Sequence, residues 1–136
     1  MERLESAQRH ELLTAARAAA ETAYCPYSHF RVGAALLADA KIYCGANIEN
    51  ASFGLTICAE RVAVFNAVSK GARRFRALAM VCPDAANGAP PGLRMPCGAC
   101  RQVVAEFADE EIVVVVGGVG EFLLSELLPA AFKLRR

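Results

Sequence analysis

Apolar and polar positions change their period several times along this chain, and each change marks an element. From Glu5 to about Ala23 an alanine-rich run places Leu12, Leu13, Ala16, Ala20 and Ala23 at helical spacing, which predicts an amphipathic helix. Pro26 and Ser28, within Tyr24-Cys25-Pro26-Tyr27-Ser28-His29, predict a turn. Phe30 to Ala38 and Lys41 to Ile48 read as two strands joined by the short link Asp39-Ala40, hence a hairpin. Asn50 to Ile57, with Gly54 inside it, reads as a loop. A second helix runs from Cys58 to about Ser69 and stops at Lys70-Gly71. Val62, Ala63, Val64, Phe65, Ala67 and Val68 make it apolar nearly all round, which suits a core or a subunit contact.

Phe75 to Cys82 reads as a third strand, followed by a proline- and glycine-punctuated loop from Pro83 to Pro96. Cys97 to Phe107 reads as a short helix, and the β-branched run Ile112 to Val116 as a strand buried on both faces. Gly117, Gly118 and Gly120 turn the chain into a last strand, Glu121 to Leu124, and Ser125 to Pro129 into a helical turn. The order α-β-β-α-β-α-β-β predicts a three-layer α/β/α fold with a mixed five-stranded sheet, as one domain over residues 1–136.

Composition narrows the function. At 55% hydrophobic and 21% charged residues, the chain has the make-up of a folded domain and not of a disordered one. Fifteen Lys and Arg against fourteen Asp and Glu give a net charge of +1, which argues against nucleic acid as a partner. Arg73, Arg74 and Arg76, and the run Lys133, Arg135, Arg136, read as solvated edges. No stretch approaches the roughly 18 apolar residues of a membrane span. Met1-Glu2-Arg3-Leu4-Glu5-Ser6 lacks the basic-then-apolar order of an export signal, so the expected location is cytoplasmic. Thiols stay reduced there, so Cys25, Cys44, Cys58, Cys82, Cys97 and Cys100 are packing residues, metal ligands or catalytic groups.

Cys97-Gly98-Ala99-Cys100 puts two thiols on one face of a helix start, where the dipole and free amides favour thiolates. Alone, the spacing fits a redox pair or two buried thiols as well as a metal. Cys58-Ala59-Glu60-Arg61 adds a third thiol at a second helix start. Three thiolates allow tetrahedral zinc with one open position, the arrangement of catalytic sites. Arg61 is placed to offset the excess negative charge by donating to the sulfurs. Glu60 can take a proton from an activated water and return it to a leaving amine; its competing role is a solvated pair with Arg61. Residues two apart point about 200° apart on a helix, so Cys58 must sit at the helix boundary for both to face one ion.

Cys58-Ala59-Glu60 together with Pro96-Cys97-Gly98-Ala99-Cys100 resembles the signature of the small zinc-dependent cytidine deaminases. The similarity extends to Pro26-Tyr27-Ser28, Val32-Gly33-Ala34, Asn47-Ile48-Glu49-Asn50-Ala51, Cys100-Arg101-Gln102 and Leu127-Leu128-Pro129, nearly the whole chain. It implies a cytidine deaminase-like fold and hydrolysis of free cytidine and deoxycytidine to uridine and deoxyuridine with release of ammonia, as in pyrimidine salvage. One Zn²⁺ per chain would be held by Cys58, Cys97 and Cys100, with Glu60 as proton shuttle and Arg61 behind the ligands. By the same resemblance Asn47 and Glu49 bind the ribose hydroxyls, Phe30 lines the pyrimidine, and Asn50, Ala51, Phe53 and Ala59 complete the substrate site. Read from the residues alone, Asn47 and Glu49 serve equally as turn residues after a strand. Phe132 resembles an aromatic that reaches a neighbouring subunit's pocket in homotetrameric relatives. Phe53 stands where relatives often carry tyrosine, which removes one hydroxyl.

Two other readings share these motifs. Blasticidin S deaminases, acting on a larger cytosine nucleoside, have the same zinc signature. A non-enzymatic zinc module would use Cys82 or Cys44 as a fourth ligand, although both lie on predicted strands where a buried thiol suffices.

Overall fold

Small side chains set how closely the helices lie on the sheet. In the computed structural model, which describes residues 4–134, α1 (Ser6–Ala20) opens with the Glu5 amide donating to Gln8 Oε1 at 3.3 Å. The expectations for Met1, Glu2, Arg3, Arg135 and Arg136 lie outside the described residues. Leu12, Ala16 and Ala20 form the buried stripe of α1. Because two of the three are alanines, strand β1 (Gly33–Ala38) meets the helix backbone itself. A Cβ on Gly33 would lie 1.9 Å from the Ala16 carbonyl oxygen, so this contact requires glycine.

Strand β2 (Lys41–Ala46) pairs antiparallel with β1 through a two-residue turn, in which Asp39 and Ala40 both take positive φ, 49° and 64°. That is the primed geometry that matches the twist of hairpin strands. Helix α2 (Ala59–Ser69) follows, then β3 (Phe75–Val81), α3 (Gly98–Ala105), β4 (Val113–Val116), β5 (Gly120–Leu123) and α4 (Leu124–Leu127). The sheet order is β2-β1-β3-β4-β5, with β3 and β4 parallel and the other pairs antiparallel, so the mixed five-stranded sheet is as expected.

Alternation along the strands divides the core into two layers. Ala35, Ala77, Ala79, Val81, Val113 and Val115 pack with Leu12 and Ala16 of α1. Ala34, Leu36, Leu78, Met80, Val114 and Val116 pack with Ala63, Val64 and Ala67 of α2 and Val104 of α3. All four valines of β4 are buried, each contributing about 1.5–3 kcal/mol, and no polar alternative could fill a central strand covered on both faces.

The ends of elements differ from the pattern-based expectations. β1 starts at Gly33, not Phe30, because the amides of residues 30–32 bond to side chains instead of a strand. β2 ends at Ala46, and Ile48 makes isolated bridges to Tyr24 and Ile57. α1 ends at Ala20 as Glu21 and Thr22 tighten onto the Ala18 and Ala19 carbonyls. The third strand stops at Val81 and α3 spans Gly98–Ala105. The loop after Asn50 holds a 3₁₀ turn, Phe53–Leu55. Leu124 opens α4 instead of closing β5, with the Leu123 amide donating to Glu126 Oε1 at 2.7 Å.

Candidate active site and metal centre

Helix starts bring the three thiols together. Cys58 is the residue just before α2, with extended backbone (φ −71°, ψ 153°), the boundary position that lets it and Glu60 face one centre. Cys97 precedes α3 in the same way (φ −70°, ψ 168°), and Cys100 lies in the first turn of that helix. Cys58 Sγ is 3.9 Å from Cys97 Sγ, which is 3.5 Å from Cys100 Sγ, and all three lie within 4.8 Å of one another. Sulfurs around one tetrahedral zinc at about 2.3 Å stand roughly 3.8 Å apart, so the trio fits that ion. Among the described residues no fourth His, Cys, Asp or Glu completes the cluster.

The proposed fourth ligands lie elsewhere. Cys44 packs with the α1 layer, its Sγ 3.9 Å from the Ala15 carbonyl, on the opposite face of the sheet from α2. Cys82 packs at the edge of the α2–α3 layer. Both are half-buried, not fully buried as expected. A coordination sphere with three protein ligands and an open position is the catalytic type.

Charge around the sulfurs is graded. The Cys58 thiol is pulled down to about 5, first by the hydrogen bond it shares with Cys100 and then by Arg61, whose Nη2 donates to Cys58 Sγ at 3.4 Å. Cys100 is pushed up first by its interaction with the Cys58 sulfur and then by burial. Arg61 Nε is buried and has no partner among the described residues. Glu60 is only 2% exposed, which excludes a solvated pair with Arg61. Burial pushes its carboxyl up to about 7, with the charge on Cys58 adding to the effect.

The candidate substrate residues fall into three groups. Asn47 and Glu49 are buried and hold the chain before β1: Asn47 Oδ1 accepts from the Val32 amide at 2.9 Å, and its Nδ2 donates to the Phe30 carbonyl at 2.8 Å. Glu49 Oε1 accepts from the amides of Tyr27 and Ser28 at 3.0 and 3.1 Å, and Oε2 accepts from the Ser28 hydroxyl. That hydroxyl is the first cause holding the Glu49 carboxyl below its ordinary value. Phe30 is half-buried on the same segment. Asn50, Ala51 and Phe53 are exposed; Asn50 Oδ1 accepts from the Ser52 amide at 2.8 Å. Ala59 is fully enclosed, so only its backbone, at the first position of α2, can meet a ligand.

Phe132 is 68% exposed although its carbonyl accepts from Gln102 Nε2 at 2.9 Å. Arg101, from the same short motif, donates through Nε to the Pro96 carbonyl at 2.8 Å and through Nη1 to the Leu127 carbonyl at 2.7 Å. It therefore joins the start of the ligand helix to the tail. Sequence reasoning assigned no role to Ser28, Arg31, Asp84 or Arg101. The two quoted motifs around Arg101 and Leu127 carried a signal for one of these contacts; nothing in the sequence ties Arg31 to Asp84.

Comparison with known proteins agrees with this geometry. Residues 6–116 match the model of the cytidine and deoxycytidylate deaminase zinc-binding region. A cytidine deaminase of Halalkalibacterium halodurans is 50% identical over 129 residues, covering 91% of this chain and 93% of that protein. One from Sporosarcina psychrophila is 48% identical over 127 residues, with coverage of 90% and 89%. The crystal structure of cytidine deaminase from Mycobacterium tuberculosis superposes with a TM-score of 0.78 at 42% identity, covering 92% of this chain and 97% of that one. With a matching zinc-binding region, relatives aligned nearly end to end and the same α/β architecture, the chain belongs to the cytidine deaminase family.

Proposed function

We propose that this chain hydrolyses free cytidine and deoxycytidine to uridine and deoxyuridine, with one zinc per chain held by Cys58, Cys97 and Cys100. The observation that carries this reading is an enclosed carboxyl group, Glu60, beside three sulfurs spaced for one tetrahedral ion. Bound zinc supplies the Lewis acidity that makes a water nucleophilic near neutral pH.

Glu60 does the proton work. It accepts a proton from water as the oxygen adds to C4, and passes that proton to N3. It then moves the second water proton to the amine, so that ammonia leaves and the oxygen remains as the C4 carbonyl. Burial raises this carboxyl above its ordinary range, which favours returning a proton as well as accepting one. Arg61 donates to Cys58 and limits the charge carried by three thiolates. Glu49, ionised and acceptor-only, suits donating ribose hydroxyls beside Asn47, and Phe30 offers a face to the pyrimidine. Asn50, Ala51, Phe53 and Ala59 border the substrate.

The protein works as a homotetramer in this reading. Ile48, Leu55 and Phe65 are 48%, 64% and 51% exposed and line one shallow surface beside α2, apolar side chains that association of subunits would cover. A shallow cavity of about 600 Å³ lies between Ile48, Leu55 and Phe65 and includes Glu49 and Asn50. Phe132 is then placed to close a neighbour's substrate pocket. Three thiols that must stay reduced favour the cytoplasm, and the family resemblance points to a role in pyrimidine salvage. No helix of the described residues is long and apolar enough to cross a membrane.

The deciding experiment is the loss of cytidine absorbance on mixing with purified, zinc-loaded protein, abolished by chelator and restored by zinc. Zinc at one per chain without turnover of cytidine would refute the reading. Turnover of blasticidin S in its place would assign the other substrate.

A further inference from the structure

The segment that carries Phe30 has almost no secondary structure of its own, yet the amides of residues 27–32 are all accounted for. Tyr27 and Ser28 donate to Glu49, Phe30 donates to Ser28 Oγ at 3.0 Å, and Val32 donates to Asn47. His29, at a positive φ of 57°, donates to the Cys25 carbonyl at 2.9 Å. The remaining amide, that of Arg31, donates to Asp84 Oδ2 at 2.8 Å. Arg31 Nε donates to the same oxygen at 3.0 Å and Nη2 to Asp84 Oδ1 at 2.8 Å, so one carboxylate accepts three bonds from one residue. Arg31 Nη1 reaches Glu21 Oε1 at 3.2 Å, at the end of α1.

Asp84 lies three residues beyond the end of β3, on the stretch that leads to Pro96 and the ligand Cys97. Gly33 pairs with Val81, so the entry to β1 and the exit of β3 are neighbours in the sheet. The Arg31–Asp84 contact extends that neighbourhood beyond the paired strands, tying the segment that bears Phe30 to the one that leads into the metal-binding helix. We propose that Arg31 and Asp84 are positioning residues that clamp the Phe30 segment in its nucleoside-binding shape and thereby set substrate affinity. This rests on the deaminase reading above. A planar fork on a carboxylate fixes direction as well as distance, which a point charge cannot do. A strained residue such as His29 persists only where its neighbours are held on both sides.

The test compares Arg31→Ala, Asp84→Ala, the double variant and Arg31→Lys in zinc-loaded protein. Each alanine variant should raise KM for cytidine about three- to tenfold with kcat changed less than about twofold, since binding alone is weakened. Zinc content should be unchanged, and amide exchange of residues 27–32 should accelerate. The double variant should be no worse than Asp84→Ala, and Arg31→Lys should restore only part of the affinity. Unchanged KM and unchanged exchange would overturn the clamp, as would loss of zinc and kcat together, which is a purely structural effect. Absence of wild-type turnover would refute the deaminase reading instead, and loop exchange in the variants would still decide the clamp.

Discussion

One methyl group at Gly45 should push the helix bearing Glu60 out of place. Gly45 sits on β2 opposite Ala34, under the stripe Ala59, Ala63 and Ala67 of α2, all fully enclosed. A Cβ at this position would lie 2.4 Å from the Ala63 nitrogen, 2.8 Å from the Ala59 oxygen and 2.9 Å from the Val62 carbonyl carbon. These are backbone atoms, so no side-chain rotation relieves them. Restoring ordinary contact requires α2 to withdraw by about 1 Å. Asn66 Nδ2, which donates to the Cys44 carbonyl at 3.2 Å, would be stretched by the same movement. Overpacking of this kind costs about 1–3 kcal/mol, or a fall in Tm of roughly 3–11 °C for a chain of this size.

The effect on turnover should exceed the effect on stability. A displacement of about 1 Å in a positioned catalytic group commonly costs around 10²-fold. Gly45→Ala should therefore lower kcat by about that factor at temperatures where the variant is fully folded. Gly92→Ala is the control, because a Cβ there meets nothing within 4 Å. Melting curves at one protein concentration and initial rates on cytidine provide the comparison. A Gly45→Ala variant with wild-type Tm and kcat would show that close approach to β2 does not place α2.

Glu60→Gln should keep zinc and Tm while losing at least about 10²–10⁴-fold in turnover; near-normal rates would refute its role in proton transfer. Ala40→Gly should raise Tm by roughly 2–4 °C, since alanine at φ 64° bears a left-handed strain that glycine does not, partly offset by the freer unfolded chain; an unchanged or lower Tm would refute this. Phe132→Ala should raise KM, and dilution of the wild-type assembly should lower activity per chain. A fully active monomer in sedimentation would refute the shared pocket.

What the sequence made legible follows from which interactions are local. The helical spacing of α1, the apolar helix that follows Cys58, the two-residue hairpin link and the run of β-branched residues in β4 are short-range patterns, and each appears where it was expected. Cys58 and Cys97 at helix starts were legible for the same reason, and so was the demand that Cys58 stand just outside its helix. The entry to β1 was not. Phe30, Arg31 and Val32 have strand-like side chains, but their amides are taken by Ser28, Asp84 and Asn47, two of them distant in sequence. The half-burial of Cys44 and Cys82 was equally hidden, because it depends on how far α1 and the segment after β3 extend over the sheet.

Asn47 and Glu49 show why turn chemistry and ligand chemistry were hard to separate. An ionised carboxylate offers about four lone-pair sites, and Glu49 uses three of them on Tyr27 and Ser28. One remains for a hydroxyl donor. The same three bonds hold the group ionised, with Ser28 the largest cause, and keep it from turning toward solvent. Under the proposed function, a ribose hydroxyl arriving at Glu49 would meet an acceptor already oriented and already charged, so little reorganisation would accompany binding. Asn47 is fixed in the same way by the backbone on either side of Arg31. In that reading the loop bonds would pre-organise both residues for the nucleoside. A variant that loosened the loop would weaken binding even with Asn47 and Glu49 intact.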